Sequence, residues 1–250
     1  MWQKWIINKE PEIKDRKMII ALSTGNPRYS LLYSHAKELA DYMRKHVEFE
    51  LLSTYYSEAL NPEAFTNNKG VVNLQKVEFY SIKNNDDVII LTGDSSPNLQ
   101  NFEFSEEIID YSKKIGVKEI YSIGTRWSEP PNPKDEYNVI GCATDEQATN
   151  QLREIGIEIM NEEQIPYFGG IVMGIAKLKE IKGYRLSVNH GETRPHPKSL
   201  VGLIKMVSKI IGIKIDTREL EEYSKKRERE QIIPDESEFA EKEEASDMYR

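Results

Sequence analysis

Asp87-Val88-Ile89-Ile90-Leu91-Thr92-Gly93 is a short, unbroken apolar run closed on both sides by turn-forming residues. A run of that length with no polar alternation predicts a strand buried on both faces, inside a sheet that helices cover from above and below. Met18-Ile19-Ile20-Ala21-Leu22 has the same character and ends in the turn cluster Ser23-Thr24-Gly25-Asn26-Pro27. Glu119–Gly124, Val139–Thr144 and Tyr184–Val188 supply further strands. Between them apolar residues recur at helical spacing. The first such stripe is Leu31, Leu32, His35, Ala36, Leu39 and Met43, the second Phe104, Ile108, Tyr111 and Ile115, and the last Leu200, Leu203, Ile204, Val207, Ile210 and Ile211. Gly116 follows the second stripe as a helix stop, and Asp145 or Thr144 is placed to cap a helix ending near Gly156. Strands alternating with helices define an α/β class with a mostly parallel central sheet.

Two segments, Val47–Leu51 and Val77–Ile82, alternate with period two and read as half-buried strands nearer an edge. Residues 54–75 are polar, carry Asn67-Asn68-Lys69-Gly70, and read as an excursion outside the core. Phe168–Ala176 reads as the closely packed start of a helix rich in small residues. These elements make residues 1–215 a single α/β domain.

From Asp216 the character changes. Asp216-Thr217-Arg218-Glu219 has capping-box spacing, and Glu221 to Lys225 and Glu222 to Lys226 form i,i+4 pairs in the favourable order. Leu220 and Tyr223 are its only large apolar residues before Glu230, so 216–233 reads as a solvated C-terminal helix. Residues 234–250 hold seven acids and no periodicity, the composition of a flexible, disordered acidic tail.

The charge follows the same division. The 250-residue chain carries a formal net charge of −8, and residues 216–250 hold thirteen acidic against seven basic groups, which leaves the body nearly neutral. A body without a basic surplus argues against a nucleic-acid partner. Cys142 is the only cysteine, which excludes an internal disulfide and a cysteine-based zinc cluster; it reads as a small packed side chain. No apolar run approaches the ~20 residues of a membrane span, and Met1–Lys9 lacks a signal peptide's apolar region. The expectation is a cytoplasmic protein with no membrane partner.

Candidate chemistry gathers after the carboxyl ends of the expected strands, where open α/β sheets bind ligands. The residues are Asp94, Ser95 and Ser96, then Arg126, then His190, Glu192, Arg194 and His196. His190-x-Glu192-x-x-x-His196 has a spacing that metal ligation or proton transfer uses, but neither helical periodicity nor a third ligand accompanies it. The loop therefore reads as a turn organiser or subunit contact, with an enzymatic site the alternative. The Thr92–Ser96 turn lacks the glycine spacing and lysine of a phosphate loop. Neither a metal nor another cofactor is implied. Met248-Tyr249-Arg250 offers a different mechanism: a rigid aromatic ring, an adaptable methionine and a terminal carboxylate suit docking into a groove.

Taken in order, several segments resemble the archaeal proteasome assembly chaperone family, whose members are also labelled ATP-grasp-superfamily proteins. They are Gly116-Val117 through Ser122-Ile123-Gly124, Tyr137–Thr144, Gly169-Gly170-Ile171-Val172-Met173-Gly174, Gly191-Glu192-Thr193 ahead of the helix at 197–211, and Ile215–Leu220. The Gly-rich turn usual after the family's first strand appears here only as Ser23-Thr24-Gly25-Asn26-Pro27. The resemblance implies a three-layer αβα domain similar to nucleoside phosphorylases, assembled as a homo-oligomer and without enzymatic activity. It implies a chaperone of the 20S proteasome whose partners are the α-subunits. Met248, Tyr249 and Arg250 match the hydrophobic-Tyr-any tail with which some proteasome activators enter pockets between those subunits. The alternative kept beside it is an enzyme of nucleoside or nucleotide chemistry built on the 190–196 loop.

Overall fold

A computed structural model describes residues 1–23, 34–127, 138–190 and 197–232, with residues 127, 189–190 and 227–232 described by backbone alone. The strands are β1 (Gln3–Ile7), β2 (Arg16–Ala21), β3 (Phe49–Ser57), β4 (Ala64–Thr66), β5 (Val72–Leu74), β6 (Val77–Ile82), β7 (Asn85–Gly93), β8 (Val117–Trp127), β9 (Val139–Ala143), β10 (Glu158–Ile159) and β11 (Lys182–His190). The helices among the described residues are α1 (His35–His46), α2 (Asn101–Lys114), α3 (Glu146–Glu154), α4 (Tyr167–Leu178), α5 (Pro197–Ile211) and α6 (Arg218–Ile232). Nine strands form one sheet in the order β1-β3-β6-β7-β2-β8-β11-β9-β10, and β4 and β5 form a separate hairpin.

The quoted apolar run lies in β7 and is buried from Val88 to Gly93. Its side chains alternate between two cores: Ile89 and Leu91 join one, Val88 and Ile90 the other. In β2 the same division sends Met18 and Ile20 to the first core and Ile19 and Ala21 to the second. The first core is closed by Phe104 and Ile108 of α2 and Val172 and Ile175 of α4. Leu39 and Met43 of α1 and Leu203, Ile204 and Val207 of α5 close the second. A sheet between two helical layers is the result.

Strands β7, β2, β8 and β11 run parallel at the centre. The flanks contain antiparallel pairs. Only Lys83 and Asn84 separate β6 from β7, and Asn84 takes the left-handed conformation (φ 64°) that tight hairpins need. A two-residue link cannot cross over, so β6 lies antiparallel to β7, and β3 and β1 extend the sheet beyond it, each antiparallel to its neighbour. At the other side β9 pairs antiparallel with β11 and parallel with β10.

Three points differ from or add to the sequence reading. Residues 54–75 are not all outside the core: β3 runs to Ser57, and Tyr55, Ala59 and Leu60 are buried in the first core. Tyr55 escapes a reading by polarity because its hydroxyl, bonded to Gln3 Oε1 at 2.8 Å, sits on a ring that packs as apolar surface. Second, the start of the chain is a strand. Trp5 of β1 stacks on Tyr55 and Tyr111, both at 4.3 Å between ring centroids, and so seals the first core at the sheet edge. Third, the last helix starts one residue later than a capping box at Asp216 requires. Thr217 O accepts the first helical N–H from Glu221, and the Asp216 carboxylate bonds the backbone N–H of Arg218. Glu221 pairs with Lys205 of α5 at 2.8 Å, which ties α6 across to its neighbour.

Gly116 ends α2 as expected, at φ 86°, and a Cβ there would lie 2.1 Å from the Lys14 carbonyl oxygen. Trp5→Ala removes the ring stacked between two tyrosines. We expect it to lower unfolding free energy by about 2–3 kcal/mol in urea titrations, since the site is part exposed and core truncations of this kind cost somewhat more.

Candidate functional site

The chain leaves β2 toward β7 and leaves β8 toward β11, so the carboxyl-terminal crevice between β2 and β8 is the point where the topology switches. The segments 24–33, 128–137 and 191–196 follow β2, β8 and β11 and lie outside the described residues.

The expected polar residues at this end have fixed partners. Ser96 Oγ donates to the Ser23 carbonyl at 2.5 Å, and Ser23 Oγ to the Asp94 carbonyl at 3.4 Å. Ser95 Oγ donates to Gln75 Oε1 at 2.6 Å, while the Asp94 carboxylate accepts the Lys76 N–H at 3.0 Å. Desolvation raises the Asp94 carboxyl against the opposing effect of that N–H. The Asp94-Ser95-Ser96 turn is therefore a clasp joining the ends of β2, β6 and β7, and its donors already have acceptors.

His35 was legible only as one member of a helix stripe. It is completely buried, with Nδ1 3.0 Å from Thr125 Oγ1 and Nε2 2.6 Å from Ser199 Oγ. It joins the first turns of α1 and α5 to the end of β8. Arg126, in the same strand, pairs through Nε with Glu163 at 2.8 Å in the segment that leads into α4.

Arg185 is the residue that sequence reasoning passed over. It lies in β11 and is 9% exposed. Nε donates to Ser187 Oγ at 3.2 Å, and Nη1 donates to Ser122 Oγ at 2.8 Å and to the Ile123 carbonyl at 3.1 Å. No carboxylate among the described residues pairs with it. Burial lowers its pKa to about 10, so it stays charged at neutral pH. The guanidinium lies between two glycines. A Cβ on Gly124 would fall 1.6 Å from Nη2, and one on Gly169, in the first turn of α4, would fall 2.7 Å from Nη1. Pro166 precedes that turn and offers no side-chain cap. Cys142, part-buried nearby, has its thiol pushed up by desolvation although Arg185 acts in the opposite sense, a setting that suits packing more than nucleophilic attack.

His190 is the final residue of β11, and only its backbone is described. Glu192, Arg194 and His196 lie outside the described residues, as do Met248, Tyr249 and Arg250. Among the described residues no group of three His, Cys, Asp or Glu side chains is placed to hold a metal ion, and no helix is long and apolar enough to cross a membrane. Helix α6 runs antiparallel to α5, with Glu221 against Lys205 and Tyr223 beside Leu200. Its carboxyl end at residue 232 therefore lies at the crevice end of the domain. Exposed Trp2, Leu99, Phe102 and Tyr167 belong to that same end.

The PAC2 family profile matches residues 35–232, and the chain belongs to the PAC2 family. Among solved structures, the Pyrococcus furiosus proteasome activator PbaB is 24% identical, with 91% of this chain and 96% of that chain covered and a TM-score of 0.75. PbaA of the same organism, an archaeal homologue of proteasome-assembly chaperone, is 20% identical over 99% of both chains, with a TM-score of 0.71. A proteasome-assembly chaperone homologue from Mycobacterium tuberculosis is 15% identical over 90% of this chain and 98% of that one, at TM-score 0.68. At these identities the likeness is one of fold. No curated protein matches the chain.

The contact of Arg185 with Gly124 is testable by a double-mutant cycle. Gly124→Ala is expected to cost about 2 kcal/mol or more in urea unfolding, and Gly124→Ala with Arg185→Ala to show a coupling of about 1–3 kcal/mol. Additive costs would show that the guanidinium is not the obstacle.

Proposed function

We propose that this protein is a non-enzymatic chaperone or activator of the 20S proteasome core particle, which binds the α-ring as a homo-oligomer through Met248, Tyr249 and Arg250. The observation that carries the reading is PAC2 membership over 35–232, in a chain whose sequence finishes in a hydrophobic-Tyr-any tripeptide. The fold likeness to proteins described as a proteasome activator and as assembly-chaperone homologues supports the same class of partner.

Tyr249 would wedge into a groove between neighbouring α-subunits, and the Arg250 carboxylate would face a basic group there. Residues 234–250, as a flexible coil, span about 5–6 Å × √17, or ~21–25 Å. That reach lets several tails of one oligomer enter neighbouring pockets. A single tail that orders on binding holds weakly, and copies joined through an oligomer gain effective concentration. Monomeric protein is thus expected to bind poorly.

Native-gel binding to a 20S particle tests the mechanism. Deletion of 248–250, or Tyr249→Ala, is expected to weaken binding at least tenfold, on the order of a lost aromatic anchor at an interface. Undiminished binding would overturn the role of the tail. A catalytic activity that survives this deletion and is lost in His190→Ala or Glu192→Ala would instead support an enzyme of nucleoside or nucleotide chemistry.

A further inference from the structure

Among the described residues two arginines are buried, and they are treated differently. Arg16, 2% exposed, donates to the carbonyls of Glu12, Ile115 and Asp86 and has the Asp86 carboxylate 3.9 Å away. Arg185 has two hydroxyls, one carbonyl and no acid among the described residues. A charge withdrawn from water without a counter-charge is costly, and buried arginines are ordinarily paired.

The unused part of Arg185 also has a direction. Among the described residues, Nε and Nη1 make all three of its hydrogen bonds and Nη2 makes none. Nη2 is the nitrogen nearest Gly124, farther along β8 than the Ser122 and Ile123 groups that hold Nη1. It is thus directed toward the carboxyl-terminal edge, where ligands bind in sheets of this kind. The same guanidinium lies against Gly169 in the first turn of α4, whose N–H groups have no side-chain cap. Glu163, in the approach to α4, is engaged with Arg126.

We propose that Arg185 Nη2 and the first-turn amides of α4 form a site for a small oxyanion, such as a phosphate group, reached from the carboxyl-terminal edge of β8 and β11. The guanidinium supplies the charge and a forked donor set, and the helix start supplies further N–H groups and a positive dipole end. Gly124 and Gly169 let the guanidinium lie flat against the backbone, since a Cβ at either position would overlap its nitrogens. This site is separate from the tail and from the 190–196 loop, so it stands or falls independently of the proteasome reading.

Isothermal titration of the full chain with inorganic phosphate, against chloride at matched ionic strength, tests it. One saturable site is expected, weakened at least about tenfold by Arg185→Lys, which keeps the charge and loses the fork. Absence of saturable binding, or an affinity unchanged by Arg185→Lys, would overturn the proposal. A crystal structure of the unaltered chain grown with tungstate decides the matter even if that variant fails to fold. Density within hydrogen-bond distance of Nη2 is expected, and an Nη2 left without an oxyanion would overturn the site.

Discussion

The structure depends on one constraint: the central strands are buried on both faces at once. Val88 and Ile90 of β7 point to one core and Ile89 and Leu91 to the other, and β2 repeats the division one strand over. Neither face can be left to water. Helices α2 and α4 must cover one side and α1 and α5 the other, and each connection must emerge at an end of the sheet. The crevice between β2 and β8, the clasp at Asp94-Ser95-Ser96 and the buried His35 staple all follow from where those connections begin.

That constraint also explains what could be read before any coordinates. Runs such as Val88–Leu91 and Met18–Ala21 show their burial directly, because no polar residue interrupts them. β1 was hidden because a single half-buried side chain, Trp5, joins it to the core, while Ile6 and Ile7 remain exposed at an edge. The α6 start was misplaced by one residue because Asp216 and Thr217 are both competent caps, and the packing of α6 against α5 chose between them.

Arg185 was hidden for a different reason. Gly183, Arg185 and Ser187 alternate with Tyr184, Leu186 and Val188, which is the pattern of a strand with one face in water. The polar face is in fact covered by α4, and the small residues at 124 and 169 are what make room for the guanidinium. The available signal was Phe168-Gly169-Gly170, a pair of glycines at the start of a helix, read as close packing without the arginine that it packs against. Most of the fold was therefore legible, because burial leaves a composition pattern. A buried charge imitates an exposed one, so this part of the site was not.

The antiparallel seating of α6 along α5 has a mechanical consequence. Residue 232 closes a helix whose other end is held by the Tyr42 hydroxyl on the Asp216 carbonyl, with the Lys205–Glu221 pair between. Tension applied at residue 232 along the α6 axis loads these contacts in shear, so that they resist together. Tension across that axis would peel them one after another. The angle of a pull at that end then decides how firmly α6 is held.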